Sequence, residues 1–432
     1  MKISLVIPTR ERAQYLGVAI ASALTAADRA GCDVEIVVSD NASADDTADV
    51  VRTFDDARIV SVRSDRRLSM RENFEFALSH ADGSHIVFIG DDDAVLPNGL
   101  RILAGLIAAN DPDIVKWRVL NYQWPDPESR GPGYLKVRPH QQDGRLMRIN
   151  PRAVLDRFGR ADYRSYHEGG MIYHGCISRR LIDRVVAVSQ GPYFRGSSPD
   201  VFTSLQALMV TDRPMVNINL PLTLGGASPR SNGAAAQKAA VSDVAVAGSE
   251  FSRFVEEADQ DPYQCRLPAA CQSLAMVQLD CLQSAAKLHS SNVQIDREAW
   301  KKRIAADIAG FAEPARSKSL DLAREVFGMK ITLPPRAEQA DISHPTQQSG
   351  NCTYATPANV AEQIRLRHRL ASLTYSGGDT MSDSAKVAGL LDRLLDLDHF
   401  DKPVTWGWLS LVLILKIHAR ARRSGPLEEA SI

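Results

Sequence analysis

The sequence predicts an α/β protein, a mostly parallel sheet with helices on both faces, followed by a mainly α-helical C-terminal region. Three observations carry this reading. Short apolar runs rich in β-branched residues, at 3–7, 34–38, 59–62, 86–89 and 114–119, have the composition of strands buried on both faces. Between them apolar residues recur at helical spacing, as with Leu16, Ala19, Ile20, Ala23 and Leu24. Strand and helix alternate from residue 3 to 119, as they do when crossover helices link parallel strands.

Taken in order, strand 3–7 is expected to stop at Pro8, and a helix follows over 13–27. Strand 34–38 runs out into Ser39 and Asp40. Residues 46–54 read as a short helix, 59–62 as a strand and 70–81 as a helix. Strand 86–89, a helix over 98–109 and strand 114–119 complete the pattern. Ligands of such sheets gather beyond the carboxyl ends of the strands. The polar clusters fall at those ends: Thr9, Arg10, Glu11 and Arg12; Asp40 and Asn41; and Asp91, Asp92 and Asp93.

The three adjacent carboxylates at 91–93 repel one another beside a buried strand end. A divalent cation there removes the conflict, and hard oxygen ligands suit Mg²⁺ or Mn²⁺, which keeps waters and takes one or two carboxylates together with substrate phosphates. An acidic loop without an ion is the alternative. No glycine lies between Pro8 and Arg12, which excludes a dinucleotide fingerprint, and no Gly-x-x-x-x-Gly-Lys-Ser/Thr loop occurs. Phosphates must then be held by metal and side chains. Asp40 suits a base with a ring N–H, such as uracil, thymine or guanine, and would repel cytosine. It also fits a plain helix start, with Ser43 or Asp45 as N-cap.

Length and composition bound the rest. The 432 residues suit two or three domains. A hydrophobic content of 44% and charged content of 24% are those of a globular protein, and a net charge of −1 gives no reason to expect nucleic acid. Six cysteines without a Cys-x-x-Cys pair argue against a disulfide framework or zinc site. With no secretory pattern at the N-terminus and no apolar run long enough to span a bilayer, a cytoplasmic protein is expected.

Residues 7–16 (Ile-Pro-Thr-Arg-Glu-Arg-Ala-Gln-Tyr-Leu), 38–47 (Val-Ser-Asp-Asn-Ala-Ser-Ala-Asp-Asp-Thr) and 88–97 (Phe-Ile-Gly-Asp-Asp-Asp-Ala-Val-Leu-Pro) resemble, in content, order and spacing, the three signature blocks of family 2 glycosyltransferases. The resemblance covers roughly residues 1–235. It implies a GT-A-like fold and an inverting enzyme that uses a nucleotide-diphosphate sugar and Mg²⁺ or Mn²⁺. Carried over by residue, Pro8, Thr9, Arg10 and Arg12 would line the nucleotide pocket, Asp40 and Asn41 the base. Asp91, Asp92 and Asp93 would form the metal and ribose-diphosphate site, with Asp92 favoured as the direct ligand. The commoner motif has an acid one place earlier, where this chain has Gly90. A sugar nucleotidyltransferase and an inactive nucleotide-sugar-binding scaffold are the rival readings.

Further on, residues 121–150 are rich in Pro, Gly and Arg and read as an irregular insertion. Trp117, Tyr122 and Trp124 could stack on a sugar or pack beneath that insertion. His167, Glu168 and His174 flank a Gly-Gly turn before a strand over 171–177, without a helical metal-ligand spacing. Pro199 and Asp200 open a helix over 201–209, whose positive end favours an ionised carboxylate. The resemblance makes Asp200 the general base, with Glu168 next in line; an N-cap is the plainer role. Residues 225–233 read as a glycine-rich loop after a short strand, with Arg230 in reach of the diphosphate.

The expected division is a catalytic domain over 1–235, a helical region over 236–333, a linker over 334–358 and a C-terminal helical region over 359–432. Residues 404–417, with Trp406 and Trp408 at one end and Lys416, Arg420, Arg422 and Arg423 beyond the other, are too short to span a membrane. They suit peripheral membrane contact, a core helix or a homo-oligomer contact. The expected partners are a nucleotide-sugar donor and a carbohydrate or lipid-linked glycan acceptor.

Overall fold

The computed structural model describes residues 1–124, 134–136, 144–229, 231, 250–333 and 428–429. Arg230, most of the 121–150 insertion, and the linker and C-terminal region apart from Glu428–Glu429 lie outside them. The first half follows the expected alternation: β1 (Lys2–Thr9), α1 (Ala13–Asp28), β2 (Asp33–Asp40), α2 (Thr47–Arg52), β3 (Ile59–Arg63), α3 (Met70–Ser79), β4 (His85–Phe88), β5 (Ala94–Val95), α4 (Gly99–Asn110) and β6 (Ile114–Gln123). Then come β7 (Tyr134–Lys136), β8 (Leu146–Ile149), α5 (Pro151–Gly159), β9 (Gly175–Ser178), α6 (Arg179–Ser189), α7 (Pro199–Val210) and β10 (Met215–Ala227). Helices α8 (Glu250–Asp259), α9 (Leu274–Leu288), α10 (Arg297–Ala309) and α11 (Ala315–Phe327), and the short β11 (Glu428–Glu429), complete the described elements.

One mixed sheet runs in the order β11-β8-β10-β6-β9-β4-β1-β2-β3. β3, β2, β1 and β4 are mutually parallel, and β9 enters antiparallel between β4 and β6. Register decides what meets at the edge. Thr9 pairs with Asp40, and Val6 with Phe88, so the β1 and β2 ends and the acidic triplet share one edge.

The period of two along each strand sends its residues to opposite faces. Ile3, Leu5, Ile7, Ile36 and Val38 join α1 and α4 in one apolar cluster. Val6, Val37, Ile86 and Phe88 join α3, α7 and residues of α9, α10 and α11 in another. The C-terminal helices therefore share a core with a sheet face. Trp300 of α10 is fully buried, and its indole N–H donates to Gly159 O at 3.2 Å. Among the described residues no helix is long and apolar enough to cross a membrane.

Four expectations need correction. Pro8 does not stop β1, which runs to Thr9. The pairing with β4 has ended at Val6, so no partner asks for the N–H that proline lacks. Gly225 and Gly226 are not loop residues; they lie inside β10, paired with Asn121 and Tyr122. The strand expected over 171–177 is shorter, Gly175–Ser178, because Met171 to His174 form the turn into it. Helices α5 and α6 were not anticipated; Asn150 caps the first, accepting from Arg152 N, and Ser178 the second, accepting from Leu181 N.

Trp300→Ala should lower the unfolding free energy by about 3–5 kcal/mol, the usual cost of emptying a large core site. Denaturant titration followed on the sheet and on the helices should show both signals shifting together, since they share one core.

Candidate active site

At the end of β1, Thr9 Oγ1 donates to Asp91 Oδ2 at 2.8 Å. Arg12 lies 3.0 Å from Asp91 Oδ1 and 3.9 Å from Asp92 Oδ1. Burial is the largest influence on the Asp91 carboxyl and pushes it upward, against the pull of Arg12.

Asp92 is differently placed. Its Oδ2 accepts from Ser228 N at 3.3 Å. Burial, with the charges of Asp93 and Asp91 adding to it and Arg12 opposing, pushes this carboxyl to about 7. Beside it lies the buried Ser228 hydroxyl, which pulls the carboxyl the other way. A carboxylate has room for about four donors, so Asp92 keeps acceptor capacity.

Asp93 has spent its capacity. Oδ1 accepts from Gly226 N at 2.7 Å; Oδ2 accepts from Gly90 N at 2.5 Å and Tyr173 OH at 2.7 Å, and His174 Nε2 lies 3.1 Å away. Burial works to raise this carboxyl, but His174 and the other donors together hold it below the usual range. The opposite ring nitrogen, His174 Nδ1, lies 2.9 Å from Thr223 Oγ1, which also accepts from Trp117 Nε1 at 2.8 Å.

Two glycines are explained here. A Cβ on Gly90 would lie 2.6 Å from Tyr173 OH and 3.0 Å from Asp93 Oδ2. An acid at position 90 would collide with the hydroxyl that holds Asp93. A Cβ on Gly226 would lie 1.8 Å from Asp92 O, so β10 passes against the acidic loop backbone to backbone. Glu11, Ala42 and His174 all have positive φ (54°, 48° and 52°), which is uncommon outside glycine. Each turns the chain where a strand end or the β9 turn meets this edge.

At the end of β2, Asp40 is buried; its Oδ1 accepts from Ser43 N at 3.0 Å and its Oδ2 pairs with Arg63. Asn41 binds both edges of Leu68, accepting from its N–H at 2.7 Å and donating to its C=O at 2.8 Å. Arg10 reaches Leu68 O at 3.5 Å and Glu257 at 2.5 Å. At the start of α2, Asp45 Oδ1 accepts from Thr47 N at 3.1 Å.

Asp200 is the second residue of α7 and half-buried. Burial raises its carboxyl, while the amides of Val201 and Asp200 itself, and the nearby His174, pull the other way. His174, 3.1 Å from Asp93, thus acts electrostatically on Asp200 as well. Glu168 is committed elsewhere: its carboxylate accepts from Arg164 N at 2.8 Å and pairs with Arg157 at 3.0 Å. Trp117, Tyr122 and Trp124 are buried, Trp124 against Tyr15 with ring centroids 4.7 Å apart and donating to Asp92 O at 2.8 Å. They pack beneath the site. Sequence reasoning missed Tyr173, Ser228 and Arg63, whose partners lie far away along the chain and leave no local pattern.

Among the described residues no group of three or more His, Cys, Asp or Glu side chains is arranged to enclose a metal ion. The triplet fans outward instead, each acid to its own partners. Asp92 and the Ser228 hydroxyl are the groups whose capacity fits a hard cation that completes its shell with phosphate and water.

Residues 4–183 match the family described as glycosyl transferase family 2. A 106-residue stretch is 35% identical to the abequosyltransferase RfbV of Salmonella typhimurium, covering 24% of this chain and 32% of that protein. The match thus spans about a third of that relative's length. Among solved structures, TarS 1–349 of S. aureus in complex with UDP-GlcNAc aligns at 13% identity and a TM-score of 0.41, over 79% of this chain and 89% of that one. The mannosyltransferase PcManGT of Pyrobaculum calidifontis, in complex with GDP-Man and Mn²⁺, aligns at 15% identity and 0.39, over 91% and 87%.

Gly226→Ala should cost about 1–3 kcal/mol through overpacking against Asp92 O. Gly105→Ala, exposed within α4 with nothing within 4 Å of the added carbon, should instead gain about 1 kcal/mol of helix propensity. Thermal melts of the two variants should move in opposite directions.

Proposed function

We propose, from the match of residues 4–183 to glycosyl transferase family 2, that this chain is an inverting, divalent-metal-dependent transferase. It moves a sugar from a nucleoside diphosphate to a hydroxyl of a carbohydrate or lipid-linked glycan. The observation that carries the reading is the Asp92 carboxylate, buried with acceptor capacity left over at the edge it shares with Asp91 and Ser228.

In this reading Asp92, with Asp91 beside it, holds Mg²⁺ or Mn²⁺, which supplies charge neutralisation for the departing diphosphate. Arg12 and Thr9 fix Asp91, and Arg12 adds a positive charge at the same place. Asp93 positions the loop rather than binding the ion. Asp40 retains lone pairs beyond those used by Ser43 N and Arg63, and takes the ring N–H of the base, which favours UDP- or dTDP-type donors. Asn41 shapes the wall through Leu68. Arg230 keeps its proposed role at the diphosphate.

The acceptor hydroxyl oxygen attacks the anomeric carbon as the nucleoside diphosphate leaves from the opposite face, and the hydroxyl proton passes to Asp200. The raised Asp200 carboxyl suits that role, since a stronger base takes a hydroxyl proton more readily. The commitment of Glu168 to Arg157 and to Arg164 N leaves it poorly suited to replace Asp200.

Asp92→Asn should abolish transfer and the Mn²⁺ dependence of nucleotide binding. Its metal-free melting temperature should match or exceed the parent's, because a buried charge has been removed. Calorimetry of UDP, dTDP, GDP and CDP with and without Mn²⁺ checks both claims; equal Mn²⁺ dependence in variant and parent would overturn the metal assignment.

Asp200→Asn should keep donor affinity while losing about 10²–10⁴-fold in turnover. Asp200 is not the N-cap expected as its plainer role, since Ser198 holds that position; a residue that only seated the first turn of α7 would leave turnover intact when replaced by the near-isosteric asparagine. Donor affinity and turnover measured on one preparation separate the two roles.

A further inference from the structure

Glu257 lies on α8, beyond the family-matched residues, yet its carboxylate is 2.5 Å from the Arg10 guanidinium and 3.6 Å from Arg67 Nε. Arg10 leaves the end of β1 directly after Thr9. Arg67 precedes Leu68, the residue that Asn41 clamps to the end of β2. A carboxylate from the C-terminal half therefore sits beside the ends of β1 and β2.

The same segment is fastened again further on. Asp261 lies 2.6 Å from Arg71 Nε and accepts from Ser69 Oγ at 2.7 Å. The Tyr263 ring packs between the guanidinium groups of Arg71 and Arg195, 5.1 and 4.9 Å from its centroid. Its carbonyl accepts from Gly196 N at 2.9 Å. Gly196, at φ +73°, begins the turn that leads into α7 and Asp200. Phe254 and Ala258 are buried on the face between these fastenings. One short stretch thus joins the β1 and β2 ends to the turn that precedes α7 and Asp200.

Carboxylate and phosphate oxygens present guanidinium groups with the same kind of acceptor. A nucleoside diphosphate brings more negative charge than one carboxylate, and Glu257 repels it while occupying Arg10 and Arg67. Building on the donor reading above, we propose that Glu257 is a latch: its carboxylate holds a donor phosphate's place on Arg10 and Arg67 until a nucleoside diphosphate displaces it. Displacement loosens α8 and, through Tyr263 and Gly196, the turn that leads into α7 and Asp200.

The test uses the full-length protein, Glu257→Gln, and UDP, dTDP, GDP and CDP with their nucleosides as probes. The diphosphate that binds the parent best should bind the variant roughly three- to tenfold tighter, the effect of removing one nearby charge in a solvent-screened setting. The matching nucleoside should bind both alike. Hydrogen exchange of α8 amides in the parent should rise when that diphosphate binds. Unchanged or weaker diphosphate binding by the variant, or equal tightening of the nucleoside, overturns the latch. If the variant does not fold, the exchange measurement on the parent decides: faster exchange supports the latch and unchanged exchange overturns it. A parent that binds none of the four diphosphates removes the donor reading and the latch with it.

Discussion

A carboxylate buried as deeply as Asp93 survives ionised only if every direction around it supplies a donor. Gly90 N, Tyr173 OH, His174 and Gly226 N do so from three parts of the chain. Each part is fixed in return. The β4 exit takes its bend, the Tyr173–His174 turn is drawn under it, and β10 is drawn close enough for Gly226 to touch Asp92. The environments of Asp91 and Asp92 follow from that arrangement. With Asp93 turned inward, its neighbours remain at the edge that Arg12, Thr9 and Ser228 share. In the proposed reading, chemistry at this site depends on an acid that takes no part in it.

The sheet makes the second contribution. Three parallel strands in fixed register bring Thr9, Asp40 and the triplet to one edge although they are scattered over the first hundred residues. β9 then enters antiparallel beside β4 and carries His174 to the same edge from a different direction. Asp200 arrives separately, on a helix packed against the sheet face that also supports α9, α10 and α11.

Much of this was legible from local pattern. β1, β2 and β4 lie within a residue or two of their apolar runs, because burial on both faces leaves a continuous signature, whereas β6 runs on past its expected end at 119 to Gln123. The clustering of polar residues at strand ends was legible for the same reason. The division of labour within the triplet was not, because three identical residues become distinct only through partners at 12, 173, 174, 226 and 228. Pro8 misled as a strand end because its tolerance depends on where the neighbouring strand stops. Gly225 and Gly226 looked like a loop because glycine marks both turns and close backbone approach. Asp40 was open between a base contact and a helix start; Arg63 and Ser43 engage it, and the N-cap of α2 is Asp46 rather than Ser43 or Asp45.

The span of these partnerships bears on how the site comes into being during synthesis. Thr9 waits for Asp91, Asp93 for Tyr173, and Asp92 for Ser228, each across a long interval of chain. Contacts of such separation form slowly, since loop closure precedes any reward. A nascent chain that ends at residue 183, where the family match stops, already carries all three acids. It has neither the strand that braces them nor Asp200, and its carboxylates would still face one another with two of their restraints missing. The recognisable portion of the sequence is thus shorter than the smallest portion able to assemble the site.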